Sequence, residues 1–355
     1  MDSTPPNFPQ FPPPFPLVYQ KSTSLSDRKS DALSNVLAKE DASHLSWKDY
    51  FDTCQDVEIS EGESTNNKPL ILSLSVIAQS FRIYQAGSTG PLIVLLHGAG
   101  HTSLSWSLCV ETLKQTMRIL AYDCRGHGET KCEHPTNLSA EQLTEDGLML
   151  LKKMYASYVN SESDSPSVFL VGHSMGGAIA VRMAASSQVA ELKGLVVIDA
   201  VEGTTLAALP SMYALLSKRP VAFRSIEDAI QWSMESGTLH NRTAARLSIP
   251  SQLIQQADKW VWRCDLKNTK AFWTGWFAGL SKLFLASNCG KILICVGHNR
   301  LDTELTIAHM QGKYQLKLIG NSGHSIAEDQ PDQVAHILKE FSLRYTRQIN
   351  ELFKK

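Results

Sequence analysis

Ser174 is the side chain in this sequence best placed to act as a nucleophile. It lies in Leu170-Val171-Gly172-His173-Ser174-Met175-Gly176-Gly177, a G-x-S-x-G pattern. An apolar run, Ser167-Val168-Phe169-Leu170-Val171, leads in, and Ala178-Ile179-Ala180-Val181-Arg182-Met183-Ala184-Ala185 leads out with the composition of a helix. Strand, tight turn and helix are the setting in which this pattern presents a reactive serine. The turn strains the backbone, lifts the hydroxyl above the sheet and points the helix N-terminus, with its partial positive charge, at the reacting centre. Glycine is needed at 172 and 176 because a Cβ at either place would strike the neighbouring chain. A Gly-Ser turn without chemistry is the alternative, and the apolar strand and helix that frame the motif argue against it.

A serine hydroxyl needs a base. Of the eleven histidines, His324 lies in Gly320-Asn321-Ser322-Gly323-His324-Ser325, a small-residue loop between a late strand and the last helix. Nucleophile, acid, then histidine is the chain order of this kind of site. Leu96-His97-Gly98-Ala99-Gly100-His101 ends the first long apolar strand. From there Ala99, with Gly100 next, is expected to join the Met175 N–H in an oxyanion hole. His97 and His173 are read as loop-fixing hydrogen bonders. No metal site is expected among these histidines, since no carboxylate or cysteine stands at a ligand spacing. For the acid the residues leave a choice. Asp199 follows one strand, in Val197-Ile198-Asp199-Ala200-Val201-Glu202-Gly203, and Asp302 follows the next, in Gly297-His298-Asn299-Arg300-Leu301-Asp302. Position alone favours Asp302. A third carboxylate, Asp123, is expected to hold its own turn, paired with Arg125.

The elements that must position these groups are legible as alternation. Pro91 to Leu96, Met117 to Tyr122, Gly194 to Ile198, Lys291 to Val296 and Tyr314 to Ile319 are apolar strands. Segments 105–116, 139–158 and Gln333 to Glu351 read as helices between and after them. Leu70 to Val76 and Phe81 to Tyr84 are read as earlier strands, with a polar loop over 60–68. Strands alternating with helices predict an α/β fold with a mostly parallel sheet and helices on both faces. From Val201 to Asn288 the rhythm gives way to Trp-rich, helix-like sequence. That stretch, about 203–288, is expected to form a cap over the carboxyl ends of the strands, where ligands bind in open α/β sheets. Residues 1–45, proline-rich and then Ser/Asp/Lys-rich, are expected to be a disordered leader, with one α/β domain over 46–355.

At 355 residues, 43% of them hydrophobic, the chain has material for one such domain with a cap. A net charge of −1 shows no footprint of a nucleic-acid binder. Seven cysteines without a C-x-x-C pair read as reduced thiols. The start lacks the basic and apolar regions of a signal peptide, and Leu70 to Ala78 is too short to span a bilayer. These features predict a soluble monomer of the cytoplasm or nucleus.

Together these residues resemble the protein phosphatase type 2A methylesterase family, over most of the chain from Trp47 onward. The elbow is common to a whole superfamily. More specific are Asp199-Ala200-Val201-Glu202-Gly203-Thr204 and Trp273-Thr274-Gly275-Trp276-Phe277-Ala278-Gly279-Leu280-Ser281, and Arg300-Leu301-Asp302 belongs to the resemblance as well. The resemblance implies an α/β-hydrolase fold and removal of a methyl ester from the carboxyl-terminal leucine of the phosphatase 2A catalytic subunit, with no cofactor. It implies Asp199 as the acid, because the family's aspartate precedes Val-Glu-Gly. Ser174, Asp199 and His324 would then carry acyl transfer, with Ala99 and Met175 binding the oxyanion. Trp273, Trp276 and Phe277 are expected to hold the apolar end of the substrate tail. Ala99 departs from a common glycine. Gln255-Gln256-Ala257-Asp258-Lys259 stands where some members carry an insertion, and Asn66 to Ser80 looks like extra sequence. Two other readings are a serine hydrolase of small esters on the same fold, and a binding protein that tolerates loss of Ser174. Epoxide hydrolases and dehalogenases need Asp where Ser174 stands.

Overall fold

The computed structural model describes residues 44–59, 79–159 and 165–352. The leader over 1–43, the loop expected over 60–68 and the strand expected at Leu70 to Val76 lie outside the described residues. An eight-stranded sheet runs in the order β1-β2-β4-β3-β5-β6-β10-β11. Its members are β1 (Thr53–Ile59), β2 (Gln79–Ala86), β3 (Leu92–Leu96), β4 (Arg118–Tyr122), β5 (Val168–His173), β6 (Leu192–Ile198), β10 (Gly290–Cys295) and β11 (Gln315–Leu318). From β4 across to β11 every pairing is parallel, while β1–β2 and β2–β4 are antiparallel.

The central strands are buried on both faces, and so they read as unbroken apolar runs. In β3 the side chains alternate between two cores. Leu92, Val94 and Leu96 belong to one cluster and Ile93 and Leu95 to the other. Helices cover both faces: α1 (Ser107–Leu113), α2 (Ala140–Tyr155), α3 (Met175–Ala185) and α11 (Pro331–Leu352), with the single turn α10 (Ile326–Asp329). The Ser139 hydroxyl starts α2 by accepting the Gln142 N–H, satisfying one orphan donor of the first turn. Strand β1 had no counterpart in the sequence reading. Its sequence Thr-Cys-Gln-Asp-Val-Glu-Ile lies at the sheet edge with four exposed residues, so it carries little apolar pattern, and pairing with β2 fixes its register.

Between β6 and β10 the chain forms α4 (Glu202–Leu216), α5 (Ile226–Glu235), α6 (Arg242–Ser251), α7 (Lys270–Phe277), α8 (Leu280–Ala286) and α9 (Thr303–Met310) follows β10. The segment is not purely helical: β7 (Ala222–Phe223), β8 (Leu253–Gln256) and β9 (Lys259–Trp262) make a small antiparallel sheet. These strands have two to four residues and no apolar alternation, so nothing in the sequence marked them. Gln255 to Lys259 is the hairpin, with Ala257 at φ 53° in its turn. The segment has its own core of Phe223, Ala229, Ile230, Leu239, Ala245, Ile249 and Leu253. No helix among the described residues is long and apolar enough to cross a membrane.

One buried ion pair ties the site-bearing edge to the helical layer. Arg125, in the loop after β4, donates to both oxygens of Asp146 on α2, at 2.7 and 2.8 Å, and also to Gln79. The expected pairing of Arg125 with Asp123 is therefore corrected. Asp123 is spent on backbone N–H groups of its own turn and of Ser103, and the guanidinium reaches across to α2 instead. Both members of the pair are buried, so removing one leaves an uncompensated charge. Arg125→Met is expected to lower unfolding free energy by about 3–5 kcal/mol, read as a fall in the urea midpoint. An unchanged midpoint would show that the pair is not holding the layers together.

Candidate active site

The turn between β5 and α3 carries Ser174 at φ 52°, ψ −119°. A non-glycine residue there costs about 1–3 kcal/mol and persists only where its surroundings enforce it. The enforcing contacts are backbone. A Cβ on Gly172 would fall on the Gly176 carbonyl, and one on Gly176 would fall on the Leu96 and His97 carbonyl oxygens. Helix α3 can thus lie against the end of β3, and the Ser174 N–H donates to the Ile198 carbonyl at 2.9 Å. Gly98 also lies against the elbow: a Cβ there would lie 2.8 Å from His173 Nδ1 and 3.4 Å from the Ser174 Cβ. The loop after β3 therefore runs directly past the candidate nucleophile. Neither the Ala99 nor the Met175 N–H has a hydrogen-bond partner among the described residues, whereas the Gly100 N–H donates to His127 Nε2 at 2.9 Å.

Three histidines hold these loops by donating from one ring nitrogen or accepting at the other. His97 Nε2 accepts the Cys124 N–H at 2.9 Å, and its Nδ1 lies 2.8 Å from the Gly98 carbonyl, which can only accept. His127 Nδ1 in the same way donates to the Arg125 carbonyl at 2.9 Å. His173 Nε2 donates to the His324 carbonyl at 2.8 Å, and the two rings stand 4.7 Å apart. The residue before Ser174 thereby ties the elbow to the His324 loop.

His324 Nδ1 donates to Asp199 Oδ2 at 2.7 Å, since a carboxylate can only accept, and this leaves Nε2 as the basic nitrogen. Asp199 is at φ 48°, another left-handed residue at a strand end, with its N–H on the Ile294 carbonyl. Asp302, the acid that position alone favours, is used differently. Asp302 Oδ1 accepts the Leu305 N–H at 2.9 Å as the N-cap of α9, and Oδ2 accepts from the Ser281 hydroxyl at 2.8 Å. Around Asp199 the stretches singled out in the sequence meet. Glu202 accepts the Gly279 and Ser281 N–H groups at 2.7 and 2.9 Å, and Thr204 Oγ1 donates to the Arg300 carbonyl at 2.8 Å. The Arg300 guanidinium lies 3.7 Å from Asp199 Oδ2.

Trp273, Trp276 and Phe277 are not at a binding surface. All three are buried in the main core, with Trp276 Nε1 donating to the Leu138 carbonyl at 2.6 Å and Trp273 Nε1 to Thr269 Oγ1 at 2.7 Å. The expectation that they grip a substrate tail is corrected: α7 packs on α2, α3 and α4, and the three rings are part of the main core. Conversely, the sequence reading missed Glu328 and Asp329. Asp329 Oδ2 accepts the Gly323 N–H at 2.8 Å while its Oδ1 accepts the His240 N–H at 2.7 Å, joining the His324 loop to the segment between β6 and β10. Glu328 Oε2 lies 3.0 Å from His101 Nδ1. Two acids in the turn directly after Gly-His-Ser were the available signal.

Burial, reinforced by neighbouring histidines, holds His97 and His173 far below the ordinary histidine range. Both are neutral in the fold and regain a pKa near 6.5 when the chain unfolds. Below that pH the unfolded chain binds more protons, so stability is full above about 6.5 and falls as the solution is acidified. Each ring contributes a slope of about 1.4 kcal/mol per pH unit. Urea unfolding between pH 7.5 and 5.5 measures it; His97→Gln should remove one ring's share, and an identical slope in the variant would contradict the assignment.

Residues 93–337 match the family model described as the alpha/beta hydrolase family. The chain is 37% identical to protein phosphatase methylesterase 1 of Homo sapiens, covering 86% of each chain. It is 38% identical to a probable protein phosphatase methylesterase 1 of Caenorhabditis elegans, covering 94% of this chain and 82% of that one. Among solved structures, E-2-(acetamidomethylene)succinate hydrolase superposes with a TM-score of 0.65 at 16% identity, over 81% of this chain and 99% of that one. A Mycobacterium tuberculosis esterase superposes with a TM-score of 0.58 at 20% identity, over 81% and 92%. At such identities the solved structures speak for the fold alone. With the extent and level of identity to its sequence relatives, the chain belongs to the protein phosphatase methylesterase family, carboxylic ester hydrolases of the α/β-hydrolase fold.

Proposed function

We propose that this protein removes the methyl ester from the carboxyl-terminal leucine of the protein phosphatase 2A catalytic subunit, by way of an acyl-enzyme on Ser174. The observation that carries the reading is the bonded lattice around Asp199. Asp199 accepts from His324 with the Arg300 guanidinium 3.7 Å away, and Glu202, Ser281 and Asp302, from the stretches shared with this family, bond to one another nearby.

His324 Nε2 takes the Ser174 proton as Oγ attacks the ester carbonyl. Asp199 keeps the ring in the Nδ1–H tautomer and stabilises the imidazolium that forms. The Ala99 and Met175 N–H groups receive the oxyanion, with the N-terminus of α3 behind it. The imidazolium then protonates the departing methoxide, which leaves as methanol. Water, deprotonated by the same nitrogen, attacks the acyl-serine, and the imidazolium returns that proton to Ser174 Oγ as it leaves, freeing the leucine carboxylate. No step calls for a cofactor. The protein acts as a monomer in the cytoplasm or nucleus, and α4 to α8 with the small sheet serve as the cap.

Methanol release from the carboxymethylated phosphatase subunit tests the reading. Ser174→Ala is expected to lose about 10⁶ in turnover and Asp199→Asn about 10⁴, whereas Asp302→Asn stays within about tenfold of wild type because its role is a helix cap. Wild type that cleaves a small ester but not the methylated subunit would refute the substrate. Asp302→Asn as damaging as Asp199→Asn would refute the acid.

A further inference from the structure

We infer that His127 is a positioning residue of the ester-hydrolysis site, setting which N–H of the loop after β3 faces the nucleophile. The inference rests on the proposed use of the Ala99 N–H as an oxyanion donor.

In the loop Leu96-His97-Gly98-Ala99-Gly100-His101, the Ala99 and Gly100 N–H groups are successive donors, and both were candidates for the oxyanion hole. Two successive N–H groups can converge on one anion, so which of them is already taken decides the donor. Here Gly100 adopts φ 78°, and its N–H is captured by His127 Nε2 at 2.9 Å. The loop is further closed by the His101 N–H on the Gly98 carbonyl at 3.0 Å. Ala99 is thus the donor left without a protein partner, one residue from Gly98, which abuts Ser174.

His127 suits this task because its other nitrogen is also committed. Nδ1 donates to the Arg125 carbonyl, so the hydrogen is on Nδ1 and the lone pair on Nε2 faces Gly100. Arg125 is itself locked onto Asp146. The ring is buried, with the His97 ring 5.1 Å away. A chain of bonds, from α2 through Arg125 and His127 to Gly100, therefore carries the rigidity of the helical layer to the oxyanion loop. An oxyanion donor aimed in advance of reaction costs no reorganisation when charge develops, which is where its catalytic value arises. The Cys264 thiol is a further polar neighbour of the ring.

Two substitutions separate the halves of this role. In His127→Gln the side-chain oxygen reaches the position of Nε2 and can accept from Gly100. In His127→Asn the amide reaches only the position of Nδ1, so the bond to Arg125 is kept and the Gly100 N–H is released. With p-nitrophenyl acetate as substrate, His127→Asn is expected to lose about 10²-fold in kcat, with KM within about twofold. His127→Gln should stay within about tenfold of wild type. A trifluoromethyl ketone, which forms a tetrahedral oxyanion adduct on the serine, should bind His127→Asn about 10²-fold more weakly, in step with kcat. Cys264→Ala should leave kcat within about threefold. Equal losses in the Asn and Gln variants, unchanged ketone affinity in His127→Asn, or a loss in Cys264→Ala matching that of His127→Asn would each overturn the inference. Failure of the wild type to hydrolyse any ester would instead overturn the functional reading beneath it.

Discussion

The approach of helix α3 to the backbone at the end of β3 is the contact on which the site depends. It is possible only because Gly176 leaves no Cβ against the carbonyls of Leu96 and His97, and Gly172 leaves none against the Gly176 carbonyl. Packing at that distance holds Ser174 in a left-handed conformation that it would not otherwise adopt. It also brings the loop after β3 past the serine, so that nucleophile and candidate oxyanion donors arise from one packing contact. A larger residue at either glycine would move both at once.

The second organising feature is how few exposed or mobile groups are used to hold the loops. His97, His127 and His173 are buried, and each bonds to a backbone group of a neighbouring loop. Imidazole is suited to this because it offers one donor and one acceptor on opposite sides of a rigid ring. The burial that makes these clips rigid also keeps His97 and His173 uncharged. His324, half-exposed and facing a carboxylate, has a different environment from its neighbours, although all four share a residue type.

On the other side of the sheet's carboxyl edge, carboxylates do the equivalent work. Glu202 caps the start of α8, Asp302 caps α9 and Asp329 gathers the His324 loop together with His240. Glu202 and Asp302 accept N–H groups at helix starts that lack partners within the helix, while Asp329 accepts from two loop N–H groups. Asp199 is the exception, turned by its own left-handed backbone toward His324. Motifs that look unrelated along the chain, around residues 202, 281 and 302, turn out to be one hydrogen-bonded unit.

The strand and helix alternation, the elbow and the loop bearing His324 were all legible in the residues. Each depends on local constraints: apolar runs for strands buried on both faces, glycine where backbones touch, small residues where a ring must be presented. Edge strand β1 and the small sheet β7–β9 were not, because their residues are half-exposed or too few to form a pattern. The choice between Asp199 and Asp302 could not be made from position, since β6 and β10 are adjacent and each ends in an aspartate. Tertiary structure separates them through backbone conformation at Asp199 and the consumption of Asp302 by Ser281 and α9. The same holds for Trp273, Trp276 and Phe277, whose spacing is compatible with either a core or a binding face. Which face of a helix meets the sheet is set by everything packed around it, and that information is distributed over the whole chain.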